Sequence, residues 1–233
     1  MFGGYGLYFL FSLPALLLGL WAQAKVKSAF AKYSKVRSYT GLSGADVARR
    51  MLDQNGLQNV QIEHTKGMLS DHYDPRTRTL RLSGDVYQSN SLAAAGVAAH
   101  EAGHAIQHKD SYMPLQFRSF MVPTVQIGSW LGPIVFMIGL LFSSSDLGLN
   151  IAWLGVALFS ATAVFAVITL PVELNATKRA KEWLIDSGVI SMTDRQGVNS
   201  VLDAAALTYV AGAIQAITTV LYYVFLLLGR RRR

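Results

Sequence analysis

Four long apolar segments divide the chain. They cover residues 2–22, 120–142, 151–172 and 210–228, and polar or charged residues separate them. A helix of about 20 apolar residues is long enough to cross the hydrocarbon core of a bilayer. The pattern therefore predicts four transmembrane helices. The first is expected to be a retained anchor, because its basic residues follow the apolar segment instead of preceding it.

The polar segment 23–119 has the pattern of an α+β domain. Residues 43–46 (Ser-Gly-Ala-Asp) have the spacing of a capping box, which predicts a helix that ends near Asn55. The pattern is helical again over 84–108. Three strand signals lie between the two helices, at about 58–63, 68–73 and 78–82. A turn at 74–76 joins the last two into a hairpin.

The composition is that of a membrane protein. Charged residues make up 15% of the chain, against roughly 25% in soluble domains, and the mean hydropathy is +0.31. The net charge is +7, but the basic residues flank apolar segments and do not alternate with aromatics, so the expected partner is the lipid bilayer and not nucleic acid. The chain has no Cys, which leaves His and carboxylates as its strong zinc ligands.

The distribution of Lys and Arg predicts the orientation. With an even number of spans, the polar segments 23–119 and 173–209 lie on the same side of the membrane. They hold 17 of the 21 basic residues, and the other four form the tail Arg230 to Arg233. This excess predicts a cytoplasmic polar domain, although the tail beside the last span favours the opposite orientation.

One short motif carries the chemistry: His100-Glu101-Ala102-Gly103-His104. On a helix, residues four apart share a face, so His100 and His104 can bind one metal ion while Glu101 lies beside them. Neutral imidazoles hold zinc without quenching its Lewis acidity, and an adjacent carboxylate can deprotonate water. Five His and four Glu would give this motif by chance about once in 500 such sequences. A structural metal site without catalysis is the alternative.

A zinc site of this kind needs a third protein ligand, and several residues are candidates. Glu173 ends an apolar span, where a carboxylate needs a partner such as a metal. Glu63 is expected to be a solvated strand residue, and Glu182 to form an exposed ion pair. Asp110 has the spacing of another zincin class but lacks its glycine. His108 continues the helix face, yet three ligands on consecutive turns do not converge easily on one ion.

At this point the sequence resembles the YugP-like membrane zinc metallopeptidases of bacteria. The resemblance rests on the motif with the following Ala105-Ile106-Gln107-His108, on Pro171-Val172-Glu173-Leu174-Asn175-Ala176, and on residues 204–210. It implies ligand, base and ligand roles at His100, Glu101 and His104, one zinc ion, and a bacterial plasma membrane. HtpX-type and CAAX prenyl proteases are more distantly similar, and their Glu-x-x-Ala-Asp motif implies that Glu173 is the third ligand, with Thr177 replacing the acidic residue.

The predicted architecture is an α+β zincin-like catalytic domain combined with a helical transmembrane bundle of about four spans. The predicted activity is that of a gluzincin-type endopeptidase, which hydrolyses polypeptides, including membrane proteins, with a zinc-activated water and Glu101 as general base. Residues 78–82 could bind an extended substrate as an added strand. The sequence leaves three donors open for the oxyanion: His72, Arg179 and Tyr209.

Two other functions compete with this hypothesis. One is a non-catalytic membrane scaffold or chaperone-like protein that keeps the zinc helix for stability. The other is a protease that acts inside the bilayer, but the polar residues at 89–91 and 107–110 leave too short an apolar run around the motif. No residue pattern indicates the substrate or the oligomeric state.

Overall fold

The computed structural model describes residues 3–67 and 69–230, and these are mainly helical. Seven helices and three short strands follow one another in the described chain: α1 (Gly3–Tyr33), α2 (Gly44–Gln54), β1 (Gln61–Thr65), β2 (His72–Asp74), β3 (Thr79–Ser83), α3 (Gly84–Tyr87), α4 (Leu92–Lys109), α5 (Met113–Leu141), α6 (Asp146–Asp186) and α7 (Arg195–Arg230).

The chain forms two compact units. The helical unit consists of Met1–Trp21, Phe117–Leu170 and Thr208–Arg233, and the mixed unit consists of Ala22–Gln116 and Pro171–Leu207. Helices α1, α5, α6 and α7 each contribute residues to both units. The sheet and helices α2, α3 and α4 belong to the mixed unit alone.

Within the described residues, three helices are long and apolar enough to cross a membrane: Met113–Leu141, Asp146–Asp186 and Arg195–Gly229. These helices contain three of the predicted apolar segments, 120–142, 151–172 and 210–228, except that residue 142 lies one position beyond the first helix. The expected span at 2–22 begins with Phe2, which lies outside the described residues, and α1 is not among the three. Four spans therefore stay a prediction. The last three arginines of the tail also lie outside the described residues.

Glycines let α5 and α6 pack closely in the helical unit. A Cβ atom at Gly139 would overlap the backbone of Ala152, and one at Gly155 would overlap the backbone of Phe136. The contact that lies earlier in α5 involves the residue that lies later in α6. The two helices therefore run antiparallel, as in a hairpin. A serine-rich turn at 142–145 joins the two helices.

The sheet of the mixed unit has the order β1-β3-β2. β1 pairs with β3 in parallel, and β2 pairs with β3 in the antiparallel sense. Because β3 has a neighbour on each side, the expectation that residues 78–82 accept an added substrate strand is wrong. The first two strands also begin later than predicted. Residues 58 and 59 form a turn, and Leu69 has a φ of 56°, which a strand does not allow.

The predicted capping box begins α2. The Ser43 side chain accepts a hydrogen bond from the Asp46 amide, and the Asp46 side chain accepts one from the Ser43 amide. The predicted continuous helix over 84–108 is wrong, because α3 ends at Tyr87 and α4 begins at Leu92. Between them, the carbonyl of Asn90 accepts a hydrogen bond from the amide of Ser38 at 2.8 Å. The intervening residues pair with a distant segment, which a local pattern cannot reveal.

Helix α4 lies at the centre of the mixed unit. Its small residues are buried on every face, and they pack against α2, β3 and the polar ends of α6 and α7: Ala93, Ala94, Ala95, Ala98, Ala99, Ala102 and Ala105. Leu80 and Leu82 of β3, Leu184 of α6 and Leu202 of α7 complete this core. Short side chains let the neighbouring elements approach α4 closely, so this helix is a rigid base for the side chains it carries.

The closest approach to α4 comes from α6. A Cβ atom at Gly103 would lie 3.0 Å from the carbonyl oxygen of Ala176, which is tighter than normal van der Waals contact. Glycine at position 103 therefore sets the separation between α4 and α6.

Replacing Gly103 should separate the two helices. We expect Gly103→Val to destabilise the protein by about 1–3 kcal/mol, the usual cost of overpacking a core. Thermal unfolding in detergent would measure this loss. Gly212→Val is the matched control, because a Cβ atom at Gly212 of α7 would meet nothing within 4 Å. Equal melting temperatures for the two variants would contradict the close-approach role.

Candidate metal centre

Two helices of the mixed unit bring three chemically related side chains together. His100 and His104 lie one turn apart on α4, and Glu173 lies on α6. The Ser91 side chain begins α4 by accepting a hydrogen bond from the Ala94 amide at 3.2 Å. Helical spacing places the two imidazoles on one face, and that face meets α6 where Glu173 projects toward it.

The three side chains converge on a small volume. The Nε2 atom of His100 lies 3.1 Å from Oε2 of Glu173, and Nε2 of His104 lies 3.5 Å from the same oxygen. The two imidazole rings are nearly perpendicular, with centroids 4.8 Å apart. Each residue offers one ligand atom, and all three atoms lie within 4.8 Å of one another. They form the one such group of His, Cys, Asp and Glu found among the described residues.

Burial of these side chains raises the free-energy cost of an uncompensated charge. Glu173 is 2% exposed and His104 is 6% exposed, and a buried carboxylate needs a positive or hydrogen-bonding partner. Burial lowers the pKa of His104, but the hydrogen bond and charge of Glu173, together with the charge of Glu101, outweigh it and raise that pKa above its usual value. The carboxylate therefore attracts positive charge to the position between the rings.

The group fits a divalent metal ion. Two imidazole nitrogens and one carboxylate oxygen are a ligand set that catalytic zinc sites use, and zinc keeps a fourth position for water or substrate. A metal ion would also supply the positive charge that the buried carboxylate requires.

Both imidazoles have a further partner on the side away from Glu173. The Nδ1 atom of His104 lies 2.9 Å from Oε1 of Gln107, and Nδ1 of His100 lies 3.2 Å from Oγ1 of Thr177. Such outer contacts orient ligand rings in metal sites. Thr177 thus contacts the site as a neutral hydroxyl.

Glu101 differs from its neighbours in having no direct partner. It is 9% exposed and follows His100 on α4. Within the described chain its carboxylate forms no hydrogen bond or ion pair. A carboxylate beside a metal group and without a protein partner can accept a proton from a water molecule.

The structure places the other candidate ligands elsewhere. Asp110 accepts a hydrogen bond from Arg179 at 2.6 Å, and His108 Nδ1 lies 2.9 Å from the Tyr73 hydroxyl. Glu63 pairs with Arg81 on the sheet, and Glu182 pairs with Lys178 across one exposed turn of α6. None of these four belongs to the group of converging ligand atoms.

The three candidate oxyanion donors have different surroundings. The Nδ1 atom of His72 lies 2.8 Å from the Ser70 carbonyl oxygen. Arg179 is held by Asn175 and Asp110. Tyr209 belongs to the helical unit. The donor stays open among them.

Sequence analysis missed two residues of this region, Gln107 and Asn175. Gln107 is fully buried, and its amide nitrogen donates to Asn175 Oδ1 at 2.9 Å. The spacing of Gln107, three residues after His104, was the available signal, because residues three apart on a helix are neighbours.

Known proteins provide independent information on the chain. Residues 8–228 match the family described as "putative neutral zinc metallopeptidase". The chain belongs to this family. It is also 47% identical over 225 residues to "Putative membrane protease YugP" of Bacillus subtilis (strain 168), and the match covers 97% of this chain and 98% of that protein. No solved structure matches the chain. The resemblance seen in the sequence is confirmed, and the family suggests zinc as the metal for the group.

Removing the buried carboxylate should weaken metal binding. We expect Glu173→Ala to lower zinc affinity by more than the roughly 10- to 100-fold typical of losing an outer contact, because a direct ligand is lost. Competition with a chromogenic chelator would measure the affinity. Asp110→Asn is the control and should bind zinc like the unmodified protein. The reverse result would make Asp110 the third ligand.

Proposed function

We propose that this protein is a membrane-bound, zinc-dependent metalloendopeptidase. The observation that carries the proposal is the convergence of His100 Nε2, His104 Nε2 and Glu173 Oε2. Glu101 follows His100 on α4, and its charge helps to raise the pKa of His104. His100, His104 and Glu173 would hold one zinc ion. When bound, zinc would polarise the scissile carbonyl and make a water molecule easier to deprotonate.

Glu101 performs the proton transfers in this proposal. Its carboxylate takes a proton from the attacking water and later gives that proton to the leaving amine. The lack of a hydrogen-bonding partner leaves its oxygens free for water. A residue that served only the fold would be expected to have a partner at this degree of burial.

The proposed setting is a bacterial plasma membrane crossed several times by the chain. Three described helices are long and apolar enough to cross it, and the matched B. subtilis protein is called a membrane protease. The excess of basic residues in 23–119 and 173–209 favours a cytoplasmic zincin-like domain. Substrates would then be polypeptides, including membrane proteins, that reach this domain.

Substituting the base should abolish catalysis and spare the metal. We expect Glu101→Gln to lower the rate of cleavage of an unfolded test polypeptide by roughly 100- to 10,000-fold, with zinc content unchanged. Glu182→Gln is the control, because that carboxylate lies in an exposed surface pair. Undiminished cleavage by Glu101→Gln would contradict the mechanism. A metal-loaded protein without cleavage in any form would favour the non-catalytic scaffold.

Metal binding should also stabilise the folded protein. Because the ligands lie on separate helices, an ion that binds only the folded state raises its stability by about 2.7 kcal/mol at 100 times the dissociation constant. We expect chelator to lower the melting temperature, zinc to restore it, and Glu173→Ala to show a smaller response at the same zinc concentration. An unmodified protein that melts at the same temperature with and without zinc would argue against the site.

A further inference from the structure

The side chain of Gln107 connects α4 to α6 inside the mixed unit. It is fully buried. Its Oε1 lies 2.9 Å from His104 Nδ1, and its Nε2 donates to the Val172 carbonyl at 2.8 Å and to Asn175 Oδ1 at 2.9 Å. Both N–H groups and the oxygen of this amide therefore have a named partner.

The partners determine which end of the amide faces which group. A backbone carbonyl such as that of Val172 can only accept, so the Gln107 atom facing it must be the NH₂ group. The Asn175 amide is oriented in the same way, because Arg179 Nε donates to its Oδ1 at 2.9 Å and a guanidinium can only donate. The Gln107 atom that faces His104 is therefore the oxygen, which can only accept.

This orientation determines the position of the proton on His104. Nδ1 donates to the Gln107 oxygen, and with a metal ion between Nε2 and Glu173 the neutral ring carries its hydrogen on Nδ1 and its lone pair on Nε2. Nε2 is the atom that faces Glu173. We infer that Gln107 is a positioning residue that holds His104 in the tautomer able to bind zinc through Nε2. The inference rests on the proposed zinc site, but it concerns residues of the protein itself.

The chain of hydrogen bonds continues beyond Asn175. Arg179 Nη1 donates to Asp110 Oδ2 at 2.6 Å, so a partly exposed ion pair between α6 and the end of α4 anchors the guanidinium. The series His104, Gln107, Asn175, Arg179 and Asp110 thus runs from the site to the surface of the unit. It fixes both the ring and the relative position of the two helices.

The tautomer of His100, the other proposed ligand, is not fixed in this way. Thr177 Oγ1 lies 3.2 Å from His100 Nδ1, and a hydroxyl can rotate to donate or accept. The hydroxyl therefore does not select one tautomer of His100. This contrast makes Thr177→Val a useful comparison for variants of Gln107.

The first test measures the tautomer directly in metal-free Glu173→Ala protein at alkaline pH, where Nε2 of His104 no longer faces a carboxylate. Histidine labelled with ¹⁵N reports which ring nitrogen carries hydrogen, and His104→Ala assigns the signal. We expect hydrogen on Nδ1 of His104 in this variant. Hydrogen on Nε2 would overturn the inference. Gln107→Met, which cannot accept in the same way, should lose the preference, and Gln107→Glu should keep it.

The second test separates positioning from packing by zinc affinity. We expect Gln107→Met to bind zinc roughly 10- to 100-fold more weakly. Gln107→Glu keeps the acceptor for His104 but loses the donors to Val172 and Asn175. It should therefore lower the melting temperature of the metal-free protein at least as much as Gln107→Met does. Its loss of zinc affinity should be smaller than that of Gln107→Met. If zinc affinity instead follows the melting temperature across both variants and Thr177→Val, Gln107 has only a packing role, and the inference is wrong.

These readouts do not depend on catalysis. If Glu101→Gln remains active but Gln107 variants change the His104 tautomer and zinc affinity, the proposed mechanism fails and the positioning role stands. If Glu101→Gln is inactive and Gln107→Met leaves tautomer and affinity unchanged, the mechanism stands and the positioning role fails.

Discussion

A buried carboxylate between two imidazoles is the constraint on which the mixed unit depends. Glu173 is 2% exposed, and an ionised carboxylate at that depth is costly unless other groups compensate its charge. His100 and His104 on α4 lie opposite Glu173, with their Nε2 atoms 3.1 Å and 3.5 Å from its Oε2. The close approach of α4 to α6 follows from this requirement, and Gly103 makes it sterically possible.

The proposed ligands His100 and His104 lie on the central helix, which has a consequence for the proposed function. α4 is packed on all sides by small and apolar residues, so its side chains have little freedom to rearrange. Zinc sites that hydrolyse peptide bonds need ligands held close to their working geometry before substrate arrives. A helix at the centre of a core meets that need better than a loop at its surface.

The polar groups at this helix contact are satisfied with one exception. Hydrogen-bonding partners across or along α4 and α6 satisfy the polar side chains of His100, His104, Gln107, Asn175 and Thr177. Glu101 has no hydrogen bond or ion pair within the described chain. An unpartnered carboxylate costs stability, and such costs are concentrated at functional sites. The contacts from Gln107 and Thr177 are neutral, so these two residues add no charge beside the rings of His100 and His104.

The sequence by itself determined the features that depend on local periodicity. Helical spacing placed His100 and His104 on one face, apolar length predicted the three helices that the structure shows, and the Ser43 capping box began α2, because each depends on residues within a few positions of one another. The contact of Glu173 with His100, 73 residues away along the chain, did not follow from local periodicity: the position of Glu173 at the end of an apolar span made it a candidate ligand, and the resemblance implied its role. Tertiary structure alone decided three features: the interruption before Leu92, the central position of β3 and the orientation of Gln107. In each case a backbone or side-chain group bonds to a segment distant in sequence, and no local pattern records that partner.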